Sequence, residues 1–281
     1  MLHAPLGAPA ETGMHRESAR FRVVINIGGL AIGFVGTDPA IAQSLERRYH
    51  AYLASPLAPA TCEFTVVRAT ARVEGDNAGV EITHHDGRWF IRRGSLSAEY
   101  DPAAARGSAH LDDRPYNIDS LLRIVHTLLL AREGGFLLHA ASAVRDGHAL
   151  VFTGASGAGK TTICRLAPPD AVLLTDEISY LRPTAHGYTA FGTPFTGELG
   201  IPGMPISAPV RAVYLLAHGD RTRIEPMRPA EAVRSVLRHV LFFATEPESV
   251  QAVLNAVCQF TRSTPVYRLE FRPEPDVWER I

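Results

Sequence analysis

Lysine is almost absent from this sequence. Of the 28 basic residues among its 281 positions, 27 are arginine and Lys160 is the single lysine. Arginine carries the same charge and serves at most surface positions, but its broad planar fork does not fit where a compact ammonium group is needed. The scarcity therefore indicates that Lys160 occupies a position that only lysine can fill.

Cysteine is scarce as well. The chain contains Cys62, Cys164 and Cys258, which are far apart and show no Cys-x-x-Cys spacing. An odd number of widely separated cysteines argues against a disulfide framework and against a zinc site. We therefore expect a reducing compartment, the cytoplasm.

Long apolar runs and a strong net charge are also missing. The most apolar segments, 121–131 and 233–244, are interrupted by arginine and histidine and are shorter than a membrane span. The first 20 residues have no apolar segment, so they predict a disordered tail rather than a signal peptide. Because the formal charge is only -1, we expect neither a nucleic-acid nor a membrane partner.

The pattern over residues 21–115 predicts a small α+β domain. Phe21 to Val35 has the composition of a β-hairpin that turns at Gly28-Gly29. Asp38 follows it and is suited to cap a helix that runs to about Leu53. The sequence of residues 21–115 contains no motif that predicts a catalytic or binding function.

Residues 116–281 predict a second, α/β domain. Apolar residues within 117–132 recur at the spacing of a helix with one buried face. The apolar runs 136–144 and 149–153 flank Arg145-Asp146-Gly147, which predicts a hairpin. Its second strand leads directly into a glycine-rich segment.

That glycine-rich segment matches the phosphate-binding pattern G-x-x-x-x-G-K-[ST] in full, after a strand and at the start of a helix. Its backbone N–H groups are expected to surround the phosphates of ATP, with Lys160 at the β- and γ-phosphates and the Thr161 hydroxyl on Mg²⁺. The predicted nucleotide-binding residues are Gly154, Ala155, Ser156, Gly157, Ala158, Gly159, Lys160, Thr161 and Thr162.

Two carboxylates follow the next apolar run, at 171–175. Asp176 and Glu177 stand at the end of that predicted strand, beside the phosphate loop. A carboxylate in this position holds Mg²⁺ or takes a proton from an attacking hydroxyl. The residues alone do not distinguish between these two roles.

The segment from Phe136 to Gly203 resembles the HPr kinase/phosphorylase family, and within it the HprK-related serine kinases of the proteobacterial, PqqD-associated type. His139 stands 15 positions before Gly154, as does the histidine of that family's His-Gly-Val, and Asp176-Glu177 stand where the family has Asp-Asp. Transporter ATPases share the local glycine-rich text, but their Leu-Ser-Gly-Gly-Gln signature is absent here.

The resemblance implies a fold and an activity. Residues 116–281 are expected to form a P-loop kinase domain of the HPr kinase/phosphoenolpyruvate carboxykinase-like type, preceded by the small N-terminal domain. The implied reaction transfers the γ-phosphoryl group of ATP to a serine hydroxyl of a protein or peptide. The acceptor is expected to be an HPr-like protein or a PqqD-linked peptide.

The resemblance also implies residue roles. Asp176 is expected to deprotonate the acceptor, with His139 beside it to tune its charge and Lys160 to neutralise the phosphates. The implied Mg²⁺ ligands are Thr161, Glu198 and Glu177. Two other functions stay open: a regulatory ATP-binding module that transfers nothing, and a small-molecule kinase. Assembly into a homo-oligomer is open as well.

Overall fold

The computed structural model describes residues 20–69, 79–112 and 115–281, which form a mixed α/β structure with two large sheets. The tail predicted at 1–20 lies outside the described residues except for Arg20. None of the described helices is long and apolar enough to cross a membrane.

The first sheet is built by the N-terminal part of the chain. Its strands are β1 (Phe21–Ile27), β2 (Leu30–Gly36), β3 (Leu53–Ala54), β4 (Cys62–Arg68), β5 (Glu81–His85), β6 (Arg88–Arg93), β7 (Leu96–Asp101) and β8 (Arg106–Leu111). They pair in the order β3-β1-β2-β4-β8-β7-β6-β5. The predicted hairpin at Gly28-Gly29 is confirmed, with φ values of 61° and 83° in its two-residue turn.

Helix α1 (Pro39–Arg48) begins at Asp38, as predicted, but ends before Leu53. The chain leaves the helix because Tyr49 and Tyr52 turn into the interior. The Tyr49 hydroxyl bonds to the Asp119 carboxylate, and the Tyr52 hydroxyl donates to the carbonyl of Gly203 at 2.8 Å. Tyr52 thus ties the N-terminal part to a loop of the second sheet.

Helix α2 (Pro115–Arg132) lies between the two sheets. The sequence predicts one buried face, but Leu121, Leu122, Ile124 and Val125 are all at most 1% exposed, so the helix is covered on several sides. Their side chains join one core cluster that contains residues of both sheets. The predicted division at 115/116 therefore passes through a shared core, and the division itself stays a prediction.

The second sheet is built by the C-terminal part. Its strands are β9 (Phe136–Arg145), β10 (His148–Thr153), β11 (Val172–Thr175), β12 (Ile178–Thr184), β13 (Gly187–Phe191), β14 (Ser207–His218), β15 (Arg223–Pro226), β16 (Val240–Leu241) and β17 (Val266–Phe271). The helices of this part are α3 (Lys160–Arg165), α4 (Pro229–Leu237), α5 (Pro247–Ser263) and α6 (Val277–Arg280).

Strand β9 organises the region of the predicted site. It pairs antiparallel with β10 and with β11, so these two strands run parallel to each other with β9 between them. Their carboxyl ends consequently lie at the same edge. The glycine-rich segment leaves β10 at this edge, and Asp176-Glu177 leaves β11 there.

A buried histidine in α2 gives the fold a pH dependence. His126 is fully buried, its Nδ1 lies 3.0 Å from the Tyr180 hydroxyl, and burial lowers its pKa from 6.5 to about 3. The unfolded chain therefore binds one more proton between these pH values. We expect His126 to contribute stability that is present above pH 6.5 and lost towards pH 3, at about 1.4 kcal/mol per pH unit.

Urea unfolding at a series of pH values measures this slope. The variant His126→Leu should show a smaller slope between pH 4 and 6, even if it is less stable throughout. An unchanged slope would show that other groups cause the acid sensitivity.

Candidate functional site

The glycine-rich segment forms a loop between β10 and α3. Gly157 and Gly159 have φ values of 78° and 105°, a region in which residues with a side chain are strained. A Cβ atom on Gly159 would also lie 2.9 Å from the ring of Phe271. Glycine at this position is thus required both by the backbone and by the packing of β17 behind it.

Lys160 opens helix α3 and folds back over the loop. The residue is 9% exposed, and Nζ donates to the carbonyls of Gly154 at 3.1 Å and of Ala155 at 3.4 Å. Burial lowers its pKa, against the opposing charges of Glu177 and Glu198. The ammonium group therefore lies against two backbone carbonyls of the loop, and we expect the broader guanidinium fork of an arginine not to keep both contacts.

Thr161 and Glu198 meet at the mouth of the loop. The Thr161 hydroxyl donates to Oε2 of Glu198 at 2.9 Å. A hydroxyl and a carboxylate oxygen in contact are two of the oxygen ligands that Mg²⁺ accepts, the others being waters and phosphates. The described residues contain no group of three or more His, Cys, Asp or Glu side chains suited to a metal ion.

Asp176 is held by a turn that contains Glu198. It is 3% exposed, Oδ1 accepts the N–H of Gly197 at 2.8 Å, and Oδ2 accepts the N–H of Leu199 at 2.8 Å. Both carboxylate oxygens are thus engaged by backbone on either side of Glu198. The sequence pattern contains no signal for this contact with Gly197 and Leu199.

Glu177 takes the place expected for Asp176 beside His139. Its Oε2 lies 3.8 Å from Nε2 of His139, and both side chains are partly exposed. Burial, followed by the charge of Lys160, lowers the pKa of His139 below its ordinary 6.5, so the ring is neutral at pH 7. The pair is therefore a neutral imidazole near a carboxylate, too distant for a direct hydrogen bond.

These groups share one cavity of about 320 Å³, between the glycine-rich loop and the end of β11. Its lining includes every predicted catalytic and metal-binding residue, and Ser156, Gly157, Gly159 and Thr162 of the loop. Gly154 and Ala155 contribute the carbonyls that hold Lys160, and Ala158 is buried beneath the loop. A larger depression of about 490 Å³ lies on the exposed face of β5 to β8, away from these groups.

A further histidine lies at the loop, although its sequence context predicts only a surface or packing role. Nε2 of His218 is 2.8 Å from the carbonyl of Gly157. Strand β14, which His218 ends, pairs parallel with β10, so both strands end at the same edge. Only the order of the strands in the sheet shows that His218 lies beside the glycine-rich loop.

Comparison with known families decides the relationship that the motif leaves open. The family model described as SynChlorMet cassette protein ScmC matches residues 109–281, more than half of the chain. The chain belongs to the ScmC family. The ScmC match starts in β8 and contains α2, the glycine-rich loop and all the groups of the cavity. A comparison with curated proteins gives no match.

Membership in the ScmC family corrects one expectation. The assignment to the HPr kinase/phosphorylase family was wrong, because the family that matches is ScmC. That assignment rested on the spacing of His139 and of Asp176-Glu177 relative to the glycine-rich segment. Proteins of different families can share the spacing of such short motifs. The roles of Glu198 and His139 can no longer be taken from the resemblance, and they rest on the geometry alone.

Proposed function

We propose that this chain is an ATP- and Mg²⁺-dependent phosphotransferase with a P-loop kinase domain, acting on a serine hydroxyl of a protein or peptide. One observation carries the proposal. Most of the phosphate-binding motif, including Lys160, lines the same cavity as the Thr161–Glu198 pair and the side chains of Asp176 and Glu177. Phosphoryl transfer needs these three components close together, because its catalysis is mainly positioning and charge stabilisation.

The groups present fit the phosphates of ATP and a magnesium ion. Three of the six residues of the loop from 154 to 159 are glycine, which favours a close approach of phosphates to its backbone, and Lys160 adds a buried positive charge. Thr161 and Glu198 would hold the metal ion, which offsets charge on the phosphates. ATP supplies the transferred group and a leaving group.

The Asp176–Glu177 pair would act on the acceptor hydroxyl. As the hydroxyl oxygen bonds to phosphorus, its proton passes to one of these carboxylates, and the bond to the leaving diphosphate breaks with its electron pair. The carboxylate then returns the proton to solvent. Neutral His139 lies beside Glu177 and adds no positive charge that would weaken this base.

A hydroxyl on a protein or peptide can reach the site because its rim lies at the surface. Ser156 and Glu198 are exposed on two sides of the cavity. A small-molecule kinase normally encloses its acceptor, whereas an acceptor on a larger chain needs an open rim.

Replacing Thr161 tests the metal site. We expect Thr161→Ala to weaken ATP binding about tenfold when Mg²⁺ is present, since an oxygen ligand is lost, and to leave Mg²⁺-free binding unchanged. Thr161→Ser keeps the hydroxyl and should behave as the wild type. Isothermal calorimetry with and without Mg²⁺ measures both, and equal effects in the two conditions would contradict the assignment.

Transfer itself is tested with γ-labelled ATP. The wild-type protein is incubated with a lysate of its own cells, and label is sought in proteins, peptides and small molecules separately. Label on a protein or peptide supports the proposal. Label only in small molecules favours a small-molecule kinase, and binding without any transfer favours a regulatory module.

A further inference from the structure

Asp176 and Glu177 are adjacent in the chain but have different surroundings. Asp176 is 3% exposed and each of its oxygens accepts a backbone N–H at 2.8 Å. The Glu177 side chain is 30% exposed. No hydrogen bond among the described residues ends on the Glu177 carboxylate. One carboxylate is therefore engaged by the fold and the other faces the cavity.

The two N–H groups that bind Asp176 belong to Gly197 and Leu199, which flank Glu198. The N–H of Gly197 belongs to the peptide group that precedes Gly197, and the N–H of Leu199 to the peptide group that directly follows Glu198, so Asp176 holds the backbone before and after the Gly197-Glu198 segment. Hydrogen bonds to an ionised acceptor are also about twice as strong as neutral ones. The direction of the Glu198 side chain is thus set by Asp176.

The packing of this turn is close. A Cβ atom on Gly197 would lie 2.9 Å from Oδ2 of Asp176 and 2.9 Å from Oε2 of Glu177. Glu198, held in this way, accepts the Thr161 hydroxyl at 2.9 Å. A continuous chain of contacts therefore runs from Asp176 through the turn to Thr161.

We propose that Asp176 is a positioning residue that holds the turn of Gly197 to Leu199 and thereby places Glu198 against Thr161. The proposal rests on the proposed function, and it leaves Glu177 as the carboxylate open to the acceptor. It changes the role that sequence alone gives Asp176, because this carboxylate is 3% exposed and each of its oxygens already accepts a backbone N–H, whereas the Glu177 side chain is 30% exposed in the cavity.

The first experiment needs no nucleotide. Amide hydrogen exchange at Gly197 and Leu199 is measured in the wild type, in Asp176→Asn and in the control Asp170→Asn, whose side chain is 56% exposed. We expect exchange to accelerate about tenfold or more in Asp176→Asn alone, as the hydrogen bonds weaken. Unchanged protection in Asp176→Asn overturns the proposal.

The second experiment measures the Mg²⁺ concentration at half-maximal ATP binding. We expect Asp176→Asn and Glu198→Gln each to raise it about tenfold, and the double variant to match Glu198→Gln alone, since the two residues act in series. Additive effects in the double variant show that Asp176 acts independently of Glu198 and overturn the proposal.

Gly197→Ala provides a second variant if Asp176→Asn does not fold. It keeps the Asp176 carboxylate and pushes the turn away from it, so it should raise the same Mg²⁺ concentration. If the wild type binds no ATP under any condition, the proposed function fails, and the hydrogen-exchange comparison alone decides whether Asp176 holds the turn.

Discussion

Replacing Lys160 with alanine should weaken ATP binding about a hundredfold or more, equivalent to about 2.7 kcal/mol, while the fold persists. The Nζ atom donates to the carbonyls of Gly154 and Ala155 within the loop, so the change removes a charge from the phosphate site and takes no side chain from the hydrophobic core clusters. Calorimetry gives the affinity, and thermal unfolding should give a melting temperature close to that of the wild type.

Lys160→Arg should fail to restore binding. The guanidinium group carries the charge, but we expect it to be too broad for the position of the ammonium group, because Lys160 as a residue is only 9% exposed. Arg165→Ala, at the exposed end of α3, serves as the control and should bind ATP normally. Full affinity in Lys160→Arg would contradict the interpretation of the single lysine.

Because lysine is so scarce, chemical modification provides a second, independent test of the nucleotide site. An amine-reactive acyl phosphate can modify only Lys160 and the N-terminal amine, because the chain has no other lysine. We expect ATP to protect Lys160 from modification and to leave the N-terminal amine as reactive as before. Equal modification with and without ATP would place the nucleotide elsewhere.

Local patterns predicted the parts of the fold that depend on neighbouring residues. The hairpin of β9 and β10 follows from apolar runs around Asp146-Gly147, whose φ values of 51° and 73° are those of a tight turn. The capped start of α1 and the glycine-rich loop are likewise contained in a few consecutive residues. Each of these was confirmed.

Elements that depend on distant partners were missed. Strand β12 (Ile178–Thr184) contains Pro183 and has no clear alternation, and it is a strand because it pairs with β9 and β13. The sequence of residues 229–244 by itself predicts one helix over that whole range, but α4 ends at Leu237 because Val240 and Leu241 pair with β9. No local sequence pattern predicts these strand pairings.

The site divides in the same way. The motif predicted Lys160 and Thr161 as site residues, and the end of the apolar run 171–175 predicted Asp176, and all three line one cavity. The contact of Asp176 with the turn of Gly197 to Leu199 lies more than 20 positions further along the chain. Only the folded loop shows that this turn reaches Asp176, and the same holds for the pairing of His139 with Glu177.

The loop that carries Glu198 is fixed at its far end by a glycine. A Cβ atom on Gly203 would lie 1.6 Å from the carbonyl oxygen of Leu174 in β11. The Gly203 N–H donates to Thr193 at 3.0 Å, and its carbonyl accepts the Tyr52 hydroxyl at 2.8 Å. The obstacle is backbone, so no change of rotamer can relieve it.

Gly203→Ala should therefore destabilise the protein by about 3 kcal/mol, near the upper end for overpacking, and lower the melting temperature by roughly 5–10 °C. Gly79→Ala is the control, because a Cβ there meets no atom of the described residues within 4 Å. Since the displaced loop carries Glu198, Gly203→Ala should also weaken Mg²⁺-dependent ATP binding and spare binding without Mg²⁺. A melting temperature within about 1 °C of the wild type would mean that the loop has room to move away from β11 at little cost, and the rigid support inferred for Glu198 would then be wrong.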